Sequence, residues 1–82
     1  MSIEKLVEAV VAELEFATAK YPAFNTAHEG YAVLLEEMDE LKAHVWMRQG
    51  RRNLSAMQRE AIQVAAMALR FAFDMQGDRG QK

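Results

Sequence analysis

Proline and glycine cut this chain into three stretches, and within each stretch apolar residues recur at three- and four-residue steps. That period belongs to helices with one buried face, which confines the chain to an all-α fold. The first stretch runs from Ile3 to Lys20, with Ile3, Leu6, Val7, Val10, Leu14 and Ala17 as its stripe and Ser2 as N-cap. Pro22 ends it, because the residue before a proline is pushed out of helical geometry. Thr26-Ala27-His28-Glu29 fits a capping box and opens a second helix, expected to reach about Gln49 and stop at Gly50. Its buried stripe is expected to be Tyr31, Leu34, Leu35, Met38, Leu41 and Val45. Arg51-Arg52-Asn53 is a short connection, which makes antiparallel neighbours of the helices it joins. Ser55-Ala56-Met57-Gln58 reads as a further capping box, placing the third helix from near Ala56 to Met75 or Gln76. Residues 1–76 thus form one domain, and 77–82 read as a flexible C-terminal tail.

The third stretch is apolar around most of its circumference, from Ala61 to Phe73. A helix of that kind is buried by more than its own chain. Eighty-two residues make a small core, and 51% of them are apolar. The subunit is therefore expected to associate with copies of itself. Ten basic and twelve acidic residues leave a net charge of −2, which gives no field for drawing the chain onto a nucleic-acid polymer. No cysteine is present, so disulfides and zinc–thiolate sites are excluded. The longest apolar run, Val64 to Leu69, falls far short of the roughly 18 residues of a membrane span. Glu4 and Lys5 break any signal-like core, and a cytoplasmic location is expected by exclusion.

Two clusters of acids carry the chemistry. The first is Glu36-Glu37-Met38-Asp39-Glu40 on the second helix, the other Glu60-Ala61-Ile62-Gln63 on the third. Residues three apart share a side of a helix, so Glu37/Glu40 and Glu60/Gln63 are pairs. On antiparallel helices the pairs can converge, and three carboxylates at one point need a cation. At an effective dielectric of about 20, two like charges about 4 Å apart repel by roughly 4 kcal/mol. A hard divalent ion such as Mg²⁺, or Mn²⁺, removes that penalty and polarises a phosphate. Glu36 and Asp39 point further outward. A single acid on a helix is ordinarily solvated, and the stripe of Glu60, Gln63, Arg59, Arg70 and Asp74 would on that reading face water. Glu37 beside Leu34 and Leu41, and Glu60 beside Val64 and Phe71, instead stand at the margin of the apolar stripes, where clustered acids look more like a site than a solvated face.

The pattern E-E-x-x-E at Glu36–Glu40, followed by Glu60-Ala61-Ile62-Gln63, resembles the MazG-like branch of the all-α nucleoside triphosphate pyrophosphatases. The flanks His28-Glu29-Gly30-Tyr31 and Val64-Ala65-Ala66-Met67-Ala68 are similar as well, and the resemblance covers about Thr26 to Asp74. It implies a three-helix subunit that oligomerises into four-helix bundles, with Mg²⁺-dependent sites that split a (d)NTP into (d)NMP and pyrophosphate. By this resemblance Glu37, Glu40 and Glu60 are metal ligands, and Glu36 takes a metal through water or orients the nucleophile. Gln63 departs from the pattern, which has aspartate there. An amide oxygen still coordinates Mg²⁺ but brings no charge; alternatively Gln63 holds Glu60 in place.

Arg48 and Arg59 are the residues expected to meet the triphosphate, since a guanidinium donates bidentately to phosphate oxygens. A cation at a helix C-terminus also accounts for Arg48 without a ligand. Tyr21 and Phe24 lie where the mouth of a base pocket would be, although core or interface roles suit the aromatics as well. Two readings of other kinds stay open: a non-catalytic helical oligomer that binds nucleotide or a protein partner, and a purely structural assembly.

Overall fold

Helix α1 spans Ile3–Lys20, α2 Ala27–Val45 and α3 Leu54–Asp74 in the computed structural model, with a 3-10 turn at Gln49–Arg51. The structure describes residues 1–47 and 49–76, the side chain of Gln49 excepted; Arg48 and the tail expected at 77–82 lie outside the described residues. Among the described residues there is no strand. The fold is all-α with three helices, as the periodicity requires.

The helix ends follow local chemistry. Ser2 caps α1, its Oγ accepting from the Lys5 N–H at 3.1 Å. At the other end Tyr21 is extended (φ −123°, ψ 145°), the conformation that the following proline imposes. Thr26 Oγ1 accepts from the Glu29 N–H at 3.0 Å, and Glu29 Oε1 accepts in turn from the Asn25 N–H at 2.7 Å. The box therefore closes one residue before the cap rather than on it. Helix α2 stops at Val45, about a turn short of the expected Gln49. Beyond it Trp46 and Met47 are exposed, so no packing sustains the helix there. The third helix begins earlier than expected. Asn53, not Ser55, is its cap, its side chain accepting from the Ala56 N–H at 3.0 Å; asparagine competes equally with serine for that role.

Helix α3 packs against both α1 and α2. Gly30 on α2 meets Phe71 on α3, while Glu37 and Glu40 meet Glu60. One index rises as the other falls, so α2 and α3 are antiparallel. Ala17, Ala66 and Met67 form the buried centre, with Val10, Val33 and Leu34 packed around it. Among the described residues no large side chain is completely buried. The radius of gyration, 14.1 Å, exceeds the roughly 12 Å of a globular chain this long, and the extents are 47 × 26 × 19 Å. None of the described helices is long and apolar enough to cross a membrane.

The orientation of α3 decides between the two readings of its polar stripe, against the one that leaves it in water: Arg70 is 5% and Asp74 2% exposed, and Glu60 and Gln63 are half-buried. The outward side instead carries Ala61, Ala65, Ala68, Leu69, Ala72 and Phe73. On α2 the expected stripe divides: Leu34, Leu41 and Val45 are half-buried, whereas Tyr31, Leu35 and Met38 are exposed. On α1, Ile3 and Val7 are likewise exposed. The polar residues of α3 point inward because they meet partners on the α1–α2 turn. Phe24 donates its N–H to Asp74 Oδ2 at 3.0 Å, and Arg70 Nη2 donates to the Pro22 carbonyl at 2.6 Å.

Gly30 permits a close approach of α2 to the Phe71 side chain on α3. A Cβ there would stand 2.6 Å from Phe71 Cδ2 and 2.9 Å from Phe24 Cδ2. Gly30→Ala should therefore destabilise the fold: overpacking costs about 1–3 kcal/mol, against a gain of about 1 kcal/mol in helix propensity. Urea denaturation measures the balance. A more stable variant would mean that the two rings yield freely.

Candidate functional site

The antiparallel register of α2 and α3 brings Glu37, Glu40 and Glu60 together. One carboxylate oxygen from each lies within 4.8 Å of the other two. Glu37 and Glu60 are half-buried and Glu40 is exposed. Among the described residues no Lys or Arg forms an ion pair with any of the three. Burial lifts the Glu37 carboxyl above its ordinary range, and the charges of Glu40, Glu60, Glu36 and Glu13 lift it further. Desolvation and like charge act in the same direction, as they do where acids await a cation or a proton.

The donor set suits a hard divalent ion. Mg²⁺–oxygen bonds of about 2.1 Å place ligand oxygens roughly 3.0 Å apart when adjacent and about 4.2 Å apart when opposite. A spread of 4.8 Å is thus a small side-chain rotation from such a shell. With three protein oxygens on one side, the remaining positions are left to water or a ligand. Gln63 stands one turn along α3 from Glu60. It is half-buried and lines the adjoining cleft.

That cleft, of about 580 Å³, lies among all three helices and the α1–α2 turn. Glu13, Glu36, Glu37 and Gln63 line its acidic part, while Phe16, Tyr21, Phe24 and Met67 line the rest. Arg70 is the one cation among the described lining residues, and its bonds are already committed. It donates to Pro22, lies 3.8 Å from Asp74 Oδ2, and holds its guanidinium 4.1 Å from the centre of the Phe24 ring.

Of the residues expected to form a site, the structure brings Glu37, Glu40 and Glu60 to one point, with Glu36 and Gln63 on the wall beside it. Arg59 is exposed and does not line the cleft, and Arg48 falls outside the described residues. Sequence reasoning missed Glu13 altogether. It sits three residues after Val10 and four before Ala17, within the inward stripe of α1, where an acid is out of place. Arg70, three residues after Met67 on the buried side of α3, carried the same signal.

Set against models of protein families, curated proteins and solved structures, the chain matches none of them.

The raised carboxyl of Glu37 sets a pH dependence. A carboxyl that titrates higher in the folded state binds its proton more tightly there than in the unfolded chain. Its ionisation therefore lowers stability as pH rises from the ordinary carboxylate range through its own raised value. Without divalent ions, Glu37→Gln should remove this loss and melt above the parent at neutral pH. With Mg²⁺ added, the parent should gain more than the variant. Thermal melting across pH decides it: a metal-free variant that melts below the parent at neutral pH would mean that the acids do not repel.

Proposed function

We propose that this chain is a Mg²⁺-dependent hydrolase of nucleoside triphosphates, releasing pyrophosphate and leaving the monophosphate, and that it works as a homo-oligomer. The convergence of Glu37, Glu40 and Glu60 is the observation that carries this reading. An all-oxygen donor set is what Mg²⁺ and Mn²⁺ prefer. The similarity of Glu36–Glu40 and Glu60–Gln63 to the acid motifs of MazG-like pyrophosphatases gives the same reading. The cleft beside the acids is large enough for a nucleotide, since small-molecule sites occupy about 300–1,000 Å³.

Charge supports a metal-borne substrate. Glu13, Glu29, Glu36 and Glu37 line the cleft, and Arg70 is spent on Pro22 and Asp74. A free triphosphate would meet repulsion there, so its phosphates enter with divalent ions. Glu37, Glu40 and Glu60 would hold such an ion, with Gln63, one turn from Glu60 on α3, as a further oxygen ligand or as a hydrogen-bond partner that ties Glu60 in place. When bound, the ion supplies a Lewis acid and offsets the negative charge of both partners. Glu36 stands on the same wall outside the triad, and is left to accept a hydrogen bond from the attacking water. That water adds to the α-phosphorus as the bond to the α–β bridging oxygen breaks, and pyrophosphate leaves. The protein contributes position and charge compensation.

Self-association has its own support. Tyr31, Leu35 and Met38 form one exposed apolar row on α2, and the outward side of α3 adds Leu69 and Phe73. A second copy burying those rows would complete the core that one subunit lacks. Replacing Leu35 and Met38 together by lysine should lower the mass seen by light scattering while leaving helicity intact. An unchanged mass would place the contact elsewhere or remove it.

Gln63 favours the runner-up, a nucleotide-binding oligomer without turnover, because the site carries one charge fewer than the family motif. Pyrophosphate release separates the two. Glu37→Gln or Glu40→Gln should cut release by more than the roughly 10–100-fold that even outer partners of metal ligands command, with circular dichroism unchanged. Variants as fast as the parent would overturn the ligand assignment. A parent that melts higher with Mg²⁺ and nucleotide but releases nothing would establish the binding module instead.

A further inference from the structure

The net charge of −2 conceals a segregation. No acid occurs from Leu41 to Arg59, whereas five of the ten basic residues do: Lys42, Arg48, Arg51, Arg52 and Arg59. This stretch covers the end of α2, the connection, and the first two turns of α3. Lys42, Arg51, Arg52 and Arg59 are exposed, and among the described residues none of them pairs with an acid. Apolar side chains stand among these cations. Trp46 is 75%, Leu54 76% and Met47 40% exposed. Helix-end chemistry does not ask for them: Asn53 caps α3, and Trp46 serves the end of α2 with its backbone N–H alone. Because α2 and α3 are antiparallel, residues 46–54 lie at one end of the pair. That end is a basic tip holding an indole, a leucine and a methionine in water.

We propose that this tip docks on an anionic lipid surface, with Arg51 and Arg52 at the headgroup phosphates and Trp46, Met47 and Leu54 sunk to the upper acyl chains. Charge complementarity selects an anionic occupant, since each Lys or Arg near such a surface adds to binding. The apolar members select lipid among anionic occupants. A nucleic acid would use the arginines and the Trp46 ring but leave Leu54 and Met47 in water. Indole rings settle at the boundary between headgroups and hydrocarbon, and aliphatic side chains gain by leaving water. A second copy needs a broad face, about 800 Å² per partner, which the rows on α2 and α3 offer and a short connection does not. The acids fix the approach. Glu60 follows Leu54 by six residues, about 9 Å along α3, which is close to one Debye length at physiological salt. Glu37 and Glu40 lie opposite it. An anionic surface therefore draws the tip and repels the rest of the helix pair, so the subunit stands end-on.

Trp46 is the sole tryptophan of the chain, so its fluorescence reports on the tip directly. With vesicles of phosphatidylcholine containing about one-third phosphatidylserine, the emission of the parent should move to shorter wavelength and be quenched by brominated acyl chains. Pure phosphatidylcholine should leave it unchanged. Raising salt from about 0.1 M to about 1 M, which shortens the Debye length from about 10 Å to about 3 Å, should release the protein. Arg51→Gln combined with Arg52→Gln should weaken binding by about thirtyfold, at roughly fivefold for each charge. Leu54→Ser should weaken it by about tenfold, the order of one buried leucine. Circular dichroism should be unchanged in both variants; if either fails to fold, the lipid, salt and quenching comparisons on the parent decide alone. No shift with the anionic vesicles, or an equal shift with both lipids, would overturn the proposal. So would a shift with a single-stranded oligonucleotide but not with vesicles, which would assign the tip to nucleic acid. A shift that follows protein concentration without lipid would overturn it too, making the tip a contact between copies.

Discussion

Arg70 and Asp74 decide which way α3 faces. Their hydrogen bonds to Pro22 and Phe24 turn the polar stripe of that helix toward its own subunit. The spacing of Glu60, Gln63, Arg70 and Asp74, at three- and four-residue intervals, then carries Glu60 and Gln63 to the same side. Because α2 runs antiparallel to α3, Glu37 and Glu40 arrive opposite Glu60. The acid cluster and the turn are thus consequences of one rotational setting. Were α3 rotated to bury its greasy side within the subunit, Glu60 would leave the cluster and the turn would lose both of its anchors.

That setting has a cost on the opposite side. Ala61, Ala65, Leu69 and Phe73 face outward, alongside exposed Tyr31, Leu35 and Met38 on α2. A subunit whose most apolar helix presents polar groups to its interior is short of a hydrophobic core. Among the described residues Ala17, Phe24, Ala56, Ala66 and Met67 are its buried apolar side chains, and burial at about 25 cal/mol per Å² cannot do much with so many small side chains. The acids add a second cost, since Glu37 is both desolvated and surrounded by like charge. Both deficits are of kinds that binding can remove, the first by another apolar surface and the second by a cation.

The sequence disclosed the parts that depend on local chemistry. Ser2, Pro22 and Thr26 set their helix ends as expected, because caps and prolines act within a few residues. The meeting of Glu37, Glu40 and Glu60 was legible too, since an i, i+3 pair and a short connection leave few alternatives. Asn53 displaced Ser55 as the cap of α3 because two good capping residues stood two positions apart, and local preference does not separate them. The end of α2 was set by the absence of packing for Trp46 and Met47, which no capping signal announces.

Polarity was the harder part. Taken singly, Arg70 and Asp74 read as solvated because charged residues seldom lie inside a small domain. The exception arises where the backbone supplies partners, here a carbonyl and an N–H on a turn about fifty positions earlier in the chain. Glu13, an acid within the apolar stripe of α1, was not singled out, yet its charge reaches Glu37. Polar residues standing at core periodicity mark where a helix has been recruited to hold something other than a core. In this chain three such positions, Glu13, Glu60 and Arg70, border the same acid cluster and cleft. An interior built this way gives up packing for a fixed arrangement of charge.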